Sequence, residues 1–385
     1  MYPSESMTPA AYARLVGLTD VCVILRSYKE RRYGGGCHHH PVQRAWSAVG
    51  RQQRRSGRDL ASVVPYFGLR SYQDDGQHYE GQIGDEATPN EFVDVLGAAT
   101  KEMMRVVKPE GSIWVNLGDK YAGGGQGGLS STSIVNDYYK DRAVTPTSQQ
   151  RREQMGSARL KSLIGIPWRY AIRCIDDLGL ILRAEVIWEK RNGIPESVTD
   201  RVRRSHEVWF HFTQQPRYFS NLDEIREPHA EVSLKRTMPH RANAGLAHEG
   251  THTIKLEQAC HPAGRLPGSV WEVATQPFQA PEELGVDHYA AFPMEFPRRI
   301  IAGWCPADGV VLDPFGGTGT TALVAKAMGR HGISVDLSGD YCRLAQWRTT
   351  DAGQLARAAG IEWVRKPRKD SGPGWDQAMF DLGDI

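Results

Sequence analysis

The sequence predicts an α/β protein, a doubly wound, mostly parallel sheet with a small irregular region set into it. Three observations carry this. A helix-to-strand unit reads cleanly near residues 88–118, and a strand–glycine loop–helix–strand–acid unit closes the ordered part of the chain, GVVLDPFGGTGTTALVAKAMGRHGISVDLS. Only 66 residues follow Gly319, too few to complete a six- or seven-strand sheet, so the other strands must come from upstream.

The elements follow in order. TDVCVIL (Thr19 to Leu25) is a β-branched apolar run and reads as a buried strand. Residues 26–58 carry nine Lys or Arg against one acid, Glu30, with three adjacent glycines, three adjacent histidines and no sustained apolar period. That composition predicts a solvated, poorly ordered basic insertion. SVVPYFGLRSY then reads as a strand end running into a stiff turn with two adjacent rings. In ATPNEFVDVLGAATKEMMRVV, Thr88 is an N-cap, Pro89 stands at the first helical position and Glu91 completes a capping box. Phe92, Leu96, Ala99 and Met103 share one helical face, and SIWVNLG is the next strand.

Residues 122–158, rich in Gly, Ser and Gln, read as a loop. IPWRYAIRCIDDLG reads as a helix stopped at Gly179, followed by the strands LILRAEVIWEK and HEVWFHFT. Residues 221–266 are irregular. GSVWEVAT is a short strand, and AAFPMEFPRRIIAGW a turn and a helix. After Lys366 the tail has little to bury.

Bulk composition limits the function classes. Forty per cent hydrophobic and 24% charged residues describe an ordinary soluble globular chain, long enough for two domains or one domain with an insertion. The net charge of +2 decides nothing about a polyanionic partner, so local charge must. Six cysteines without a CxxC pair argue against a disulfide framework and for a reducing compartment. There is no apolar run of membrane-spanning length and no signal-peptide layout at the start, so a cytoplasmic protein is expected. Cys37-His38-His39-His40 and the looser set Cys260, His261, His240, His248 and His252 lack the spacing of a closed tetrahedral site, and no metal is expected.

The late unit has the chemistry of a nucleoside crevice. Glycines let backbone approach a ligand, a helix N-terminus offers N–H groups, and Asp336, twenty residues after Gly316, suits two ribose hydroxyls. Gly317 to Ala322 also fits a GxGxx[GA] dinucleotide pattern, which leaves a nicotinamide oxidoreductase as a rival reading. The late position of the loop argues against it. Arg201, Arg203 and Arg204, and Lys235, Arg236 and Arg241, make two local basic runs suited to phosphates.

Taken together, PYFGLRSY with EGQIGDEATPNEFV, PEGSIWVNLGDKYAGGG, AEVIWEKRNGIPESVTDRVRRSHEVWFHFT, AAFPMEFPRRII and, last, LDPFGGTGTT resemble, in this order, the permuted amino-group DNA methyltransferases. From Pro65 to Thr321 they span about two thirds of the chain. The resemblance implies a Rossmann-like sheet with circularly permuted motifs, S-adenosylmethionine as cofactor, and double-stranded DNA methylated at adenine N6 or cytosine N4, with a restriction enzyme as a possible partner. It divides the chain into a catalytic part (1–25 and 59–220), the basic insertion (26–58), a target-recognition region (221–266), a cofactor part (267–366) and a flexible tail (367–385). It assigns Asp313, Phe315, Gly316, Gly317 and Gly319 to the methionine and adenosine parts, with Thr318, Thr320 and Thr321 as polar partners. Asp336 takes the ribose, and Phe292 and Pro293 border the methionine end.

The family's catalytic turn reads Ser/Asp/Asn-Pro-Pro-Tyr. Here Pro65 and Tyr66 match, while Val64 replaces the first proline and Val63 the polar acceptor. Valine accepts no side-chain hydrogen bond. The catalytic residues implied are Val64, through its carbonyl, with Pro65, Tyr66 and Phe67 gripping a base. The alteration predicts impaired transfer, or a catalytically dead DNA-binding relative. In the family a strand like DVCVIL leads directly into this turn. The segment ending in Ala61–Val64 either disrupts that geometry or restores it by supplying a replacement strand.

Overall fold

A computed structural model describes residues 21–24, 58–63, 66–67, 73–74, 77–78, 83–84, 86–122, 158–193, 196, 198–230, 237–240, 252–255, 260–276, 278, 280–286 and 292–360. In chain order the elements are β1 (Val21–Ile24), β2 (Arg58–Val63), β3 (Gln73–Asp74), β4 (Gln77–His78), α1 (Pro89–Val106), β5 (Ser112–Leu117), α2 (Ile166–Asp176), β6 (Ile181–Glu189), β7 (His206–Thr213), β8 (Thr237–His240), β9 (His252–Lys255) and β10 (Val270–Glu272). Then come α3 (Glu295–Trp304), β11 (Val310–Asp313), α4 (Thr320–Ala327), β12 (His331–Asp336), α5 (Gly339–Thr350) and α6 (Ala352–Ala359).

Eight strands form one sheet in the order β1-β12-β11-β2-β5-β7-β6-β10, and two antiparallel pairs, β3–β4 and β8–β9, stand apart from it. Within the large sheet, β7 alone runs antiparallel to its neighbours β5 and β6. From β11 the chain crosses through α4 to β12 on one side, and from β2 it crosses through α1 to β5 on the other. The direction of winding therefore reverses between β11 and β2. Open parallel sheets bind ligands beyond the strand ends at such a point.

Local chemistry explains the central elements. In α1, Thr88 Oγ1 accepts from the Glu91 N–H and the Glu91 carboxylate accepts from the Thr88 N–H, closing the predicted capping box. Its apolar face, Phe92, Leu96, Ala99 and Met103, is buried as expected. β5 and β11 are buried along their whole length, as interior strands covered on both faces must be. One face packs on α1 and α2 around Phe92, Leu96, Tyr170 and Phe210. Beyond β5 the opposite face carries an aromatic cluster of Trp114, Trp188, Trp209, Trp271, Phe296 and Trp304, closed by α3. A third cluster joins Val311 to Ile301, Leu323 and Ala358.

The expected strand DVCVIL is β1, but it lies at the sheet edge, paired with β12, with Ile24 opposite Asp336. It does not feed the catalytic turn. That place belongs to β2, which pairs Leu60 with both Leu312 of β11 and Ile113 of β5. The replacement-strand reading is the one this topology fits. β2 also starts at Arg58, inside the expected basic insertion; the rest of that insertion, with Cys37 to His40, lies outside the described residues. So does the tail after 366. Of the irregular region 221–266, the structure describes a 3-10 turn at Leu222–Ile225, a bridge between Glu227 and Arg265, and the β8–β9 pair. Among the described residues no helix is long and apolar enough to cross a membrane.

Candidate active site

On the β11 side of the crevice, the glycine loop is held tightly against β12. The Gly316 N–H donates to the Val335 carbonyl at 2.9 Å, and a Cβ on Gly316 would collide with Ser334 Oγ. This approach brings Gly317 to Asp336, whose Oδ2 accepts from the Gly317 N–H at 2.9 Å; its Oδ1 accepts from the Ser338 N–H at 2.9 Å. Asp313 is buried. Its carboxylate accepts from the Phe315 N–H at 3.1 Å and from the Thr321 hydroxyl at 2.6 Å, fixing both ends of the loop. Gly319 caps α4 with φ 73°, and a Cβ there would stand 2.6 Å from that of Ala345.

Burial separates the residues assigned to the cofactor into two groups. Phe315, Gly317 and Asp336 are half-exposed at the mouth of the loop. Thr318, Thr320 and Thr321 are buried and hydrogen-bonded within the protein. Two of these threonines belong to an arrangement that sequence reasoning missed. The Arg348 guanidinium of α5, itself buried, donates to Thr318 Oγ1 at 2.7 Å, to Thr320 Oγ1 at 2.8 Å and to the Thr318 carbonyl at 3.2 Å. Its outer face lies 4.4 Å from the centre of the Phe278 ring. Burial, and then Arg357, push its pKa down to about 10, so it stays charged at neutral pH. No local pattern marks this arginine, which lies 28 residues from Thr320.

On the β2 side stand Tyr66 and Phe67. Phe67 is buried against Phe92, with ring centres 5.4 Å apart, and Lys120 Nζ lies 4.6 Å above it. Tyr66 is half-buried. Its hydroxyl meets Asn116 Oδ1 at 2.6 Å and Glu207 Oε2 at 2.5 Å, and its ring rests on Gly118. Val64 and Pro65 lie outside the described residues. Asp119, just beyond β5, accepts from the N–H groups of Gly165 and Ile166 and so anchors the start of α2. Pro293 is buried, and Phe292 packs against Trp209 at 6.1 Å between ring centres.

β6 and β7 are joined by a loop at the same end of the sheet. Arg201 there stacks 3.8 Å over Tyr121 and pairs with Glu196 at 2.7 Å. Arg203 is exposed and donates to the Gly193 carbonyl, and Arg204 is half-buried. Lys235, Arg236 and Arg241 lie outside the described residues. Among the described residues no three His, Cys, Asp or Glu side chains are grouped to hold a metal.

Fold and site define a class: a switch-point crevice with a nucleoside-binding loop on one strand and an aromatic turn on the next. The comparisons refine it. A family model for N6/N4 methyltransferases, described as DNA methylase, matches residues 61–347. The chain is 30% identical over 292 residues to the Type II methyltransferase M.SmaI of Serratia marcescens, covering 75% of this chain and 82% of that protein. It is 32% identical over 302 residues to M.Cfr9I of Citrobacter freundii, covering 78% and 84%. Among solved structures, the PvuII DNA methyltransferase (cytosine-N4-specific) shares the fold at a TM-score of 0.50 and 18% identity, over 81% of this chain and 86% of that one. The chain belongs to the DNA methylase family. It is a DNA amino-methyltransferase, and S-adenosylmethionine is its cofactor. The loop fits that cofactor. The half-exposed Asp336 carboxylate suits vicinal hydroxyls, and the half-exposed Gly317 backbone is approachable for want of a Cβ.

Proposed function

We propose that Tyr66 is the platform on which a base extruded from duplex DNA stacks, beside the cofactor loop, for methylation of its exocyclic amine. The observation that carries this is the position of Tyr66: it follows β2, the strand that borders β11 at the switch point. The base must leave the duplex to be reached, and an aromatic face is what receives it. When bound, S-adenosylmethionine supplies the methyl group. The chain's own task is to place the amine in line with it and to accept hydrogen bonds from the NH2, which localises the nitrogen lone pair. Val63 has no side-chain acceptor, so backbone carbonyls of the turn, Val64 among them, take that task. Phe315, Gly317 and Asp336 hold the cofactor, with Phe292 and Pro293 near its methionine end. Asp313, Thr318, Thr320 and Thr321 shape the loop from within.

Arg201, Arg203 and Arg204, in the β6–β7 loop, suit backbone phosphates. Residues 221–266 read base edges. The Type II names of the relatives support a role as the modifying partner of a restriction endonuclease; we infer double-stranded DNA as the substrate and the cytoplasm as the compartment. The test is to digest DNA treated with the protein and the cofactor to nucleosides. N6-methyladenine or N4-methylcytosine is expected; methyl on a ring carbon instead would overturn the proposal.

A further inference from the structure

The Tyr66 hydroxyl is held by residues from two adjacent strands of the sheet, β5 and β7, backed by a lysine just past β6. Asn116 of β5 is fully buried, and its amide has a defined orientation because Nδ2 donates to the Val208 carbonyl at 3.1 Å. Its Oδ1 is thereby turned to the Tyr66 hydroxyl. Glu207 of β7 meets the same hydroxyl with Oε2, while its Oε1 is ion-paired with Lys190 Nζ, just past β6. Lys190 in turn lies 4.5 Å over the Trp188 ring, and the Trp188 indole N–H donates to the Val273 carbonyl at 2.7 Å. The Glu207 side chain is only 12% exposed, so its carboxylate depends on these partners.

We propose that Asn116, Glu207 and Lys190 are positioning residues that set the orientation of the Tyr66 ring. This rests on the reading of Tyr66 as the base platform. A phenol carries one proton, and here two acceptors from adjacent strands confine it. Swinging the ring away would take the shared proton from both, leaving the fully buried amide oxygen short of a donor and the largely buried carboxylate with Lys190. The ring also rests on Gly118, so closely that a Cβ there would stand 3.0 Å from Tyr66 Cε2. The hydroxyl's partners come from β5 and β7, with Lys190 behind them, and none of these contacts uses a side chain at positions 63 and 64. Such a fastening explains how a turn that lacks its polar acceptor keeps its aromatic member in place.

A double-mutant cycle tests this on the full-length chain. Tyr66→Phe keeps the ring and removes the hydroxyl; Glu207→Gln keeps the shape and removes the charge. Methyl transfer to unmethylated genomic DNA gives kcat and KM, and calorimetry gives S-adenosylmethionine affinity. Each single variant is expected to lower kcat about tenfold or more, as small misplacements of a reacting group do. Cofactor affinity should not change, and the double variant should be no worse than the poorer single one. Lys190→Gln, a milder change, should lower kcat alone but have no effect in the Tyr66→Phe background. Additive losses overturn the proposal, as do unchanged kcat values or losses that follow melting temperature and cofactor affinity. If the unaltered chain transfers no methyl, the platform reading falls and this one with it; uncoupled variants of an active chain overturn this one alone.

Discussion

Gly118 leaves room for the Tyr66 ring and for little else, so a single methyl group added there tests the site directly. Gly118→Ala would push the ring by a few tenths of an ångström from its 3.0 Å limit. The expected result is a clear loss of kcat with unchanged cofactor affinity. His211 makes a second prediction, about stability. It is buried, stacked 4.4 Å from Trp114, and its Nε2 meets Ser112 Oγ at 2.9 Å. Burial, with a smaller push from Arg183, lowers its pKa to about 3. The folded state therefore holds it neutral, while the unfolded chain takes up a proton below its ordinary value of 6.5. Its contribution is whole above pH 6.5 and is lost as pH falls towards 3, at up to about 1.4 kcal/mol per pH unit. Denaturant melts at pH 7 and pH 5 should show that drop, and His211→Phe should flatten it.

At the scale of elements, α5 acts as the back wall of the cofactor loop. Arg348→Met would strip Thr318 and Thr320 of a charged donor and is expected to weaken S-adenosylmethionine binding about tenfold, measured by calorimetry. Thr88→Ala removes half of the capping box of α1, far from the crevice, and should cost about 1 kcal/mol in denaturant melts with cofactor affinity unchanged. These two elements also show what a sequence discloses. α1 was legible because its cap and its apolar face are local signals, three or four residues apart. α5 was not: its inward face includes an arginine and a threonine, Arg348 and Thr349, so no apolar stripe announces it. The glycine loop and Asp336 were legible because spacing along the chain carries their chemistry. Asn116 and Glu207 were not, because they meet Tyr66 across 50 and 141 residues and only the sheet order joins them.

For the whole molecule, strand order decides which segment does which work. DVCVIL has the composition of an interior strand, and composition alone does not say which neighbour it takes. Pairing with β12 puts it at the edge, while Arg58–Val63, whose first residue falls in a basic stretch, takes the place between β11 and β5. That exchange puts the turn with Tyr66 after the strand that borders β11 at the switch point. Scaffold and glycine loop are thus in place with Tyr66 as the proposed platform, and the residues that depart from the family's turn are Val63 and Val64. The most direct measurement is transfer of labelled methyl from S-adenosylmethionine to unmethylated genomic DNA, alongside cofactor binding by the same preparation. Incorporation that disappears in Tyr66→Ala while cofactor binding persists is the predicted result. Cofactor binding without incorporation by the unaltered chain would contradict the account, leaving a methyltransferase scaffold whose turn at Val63 and Val64 no longer supports the chemistry.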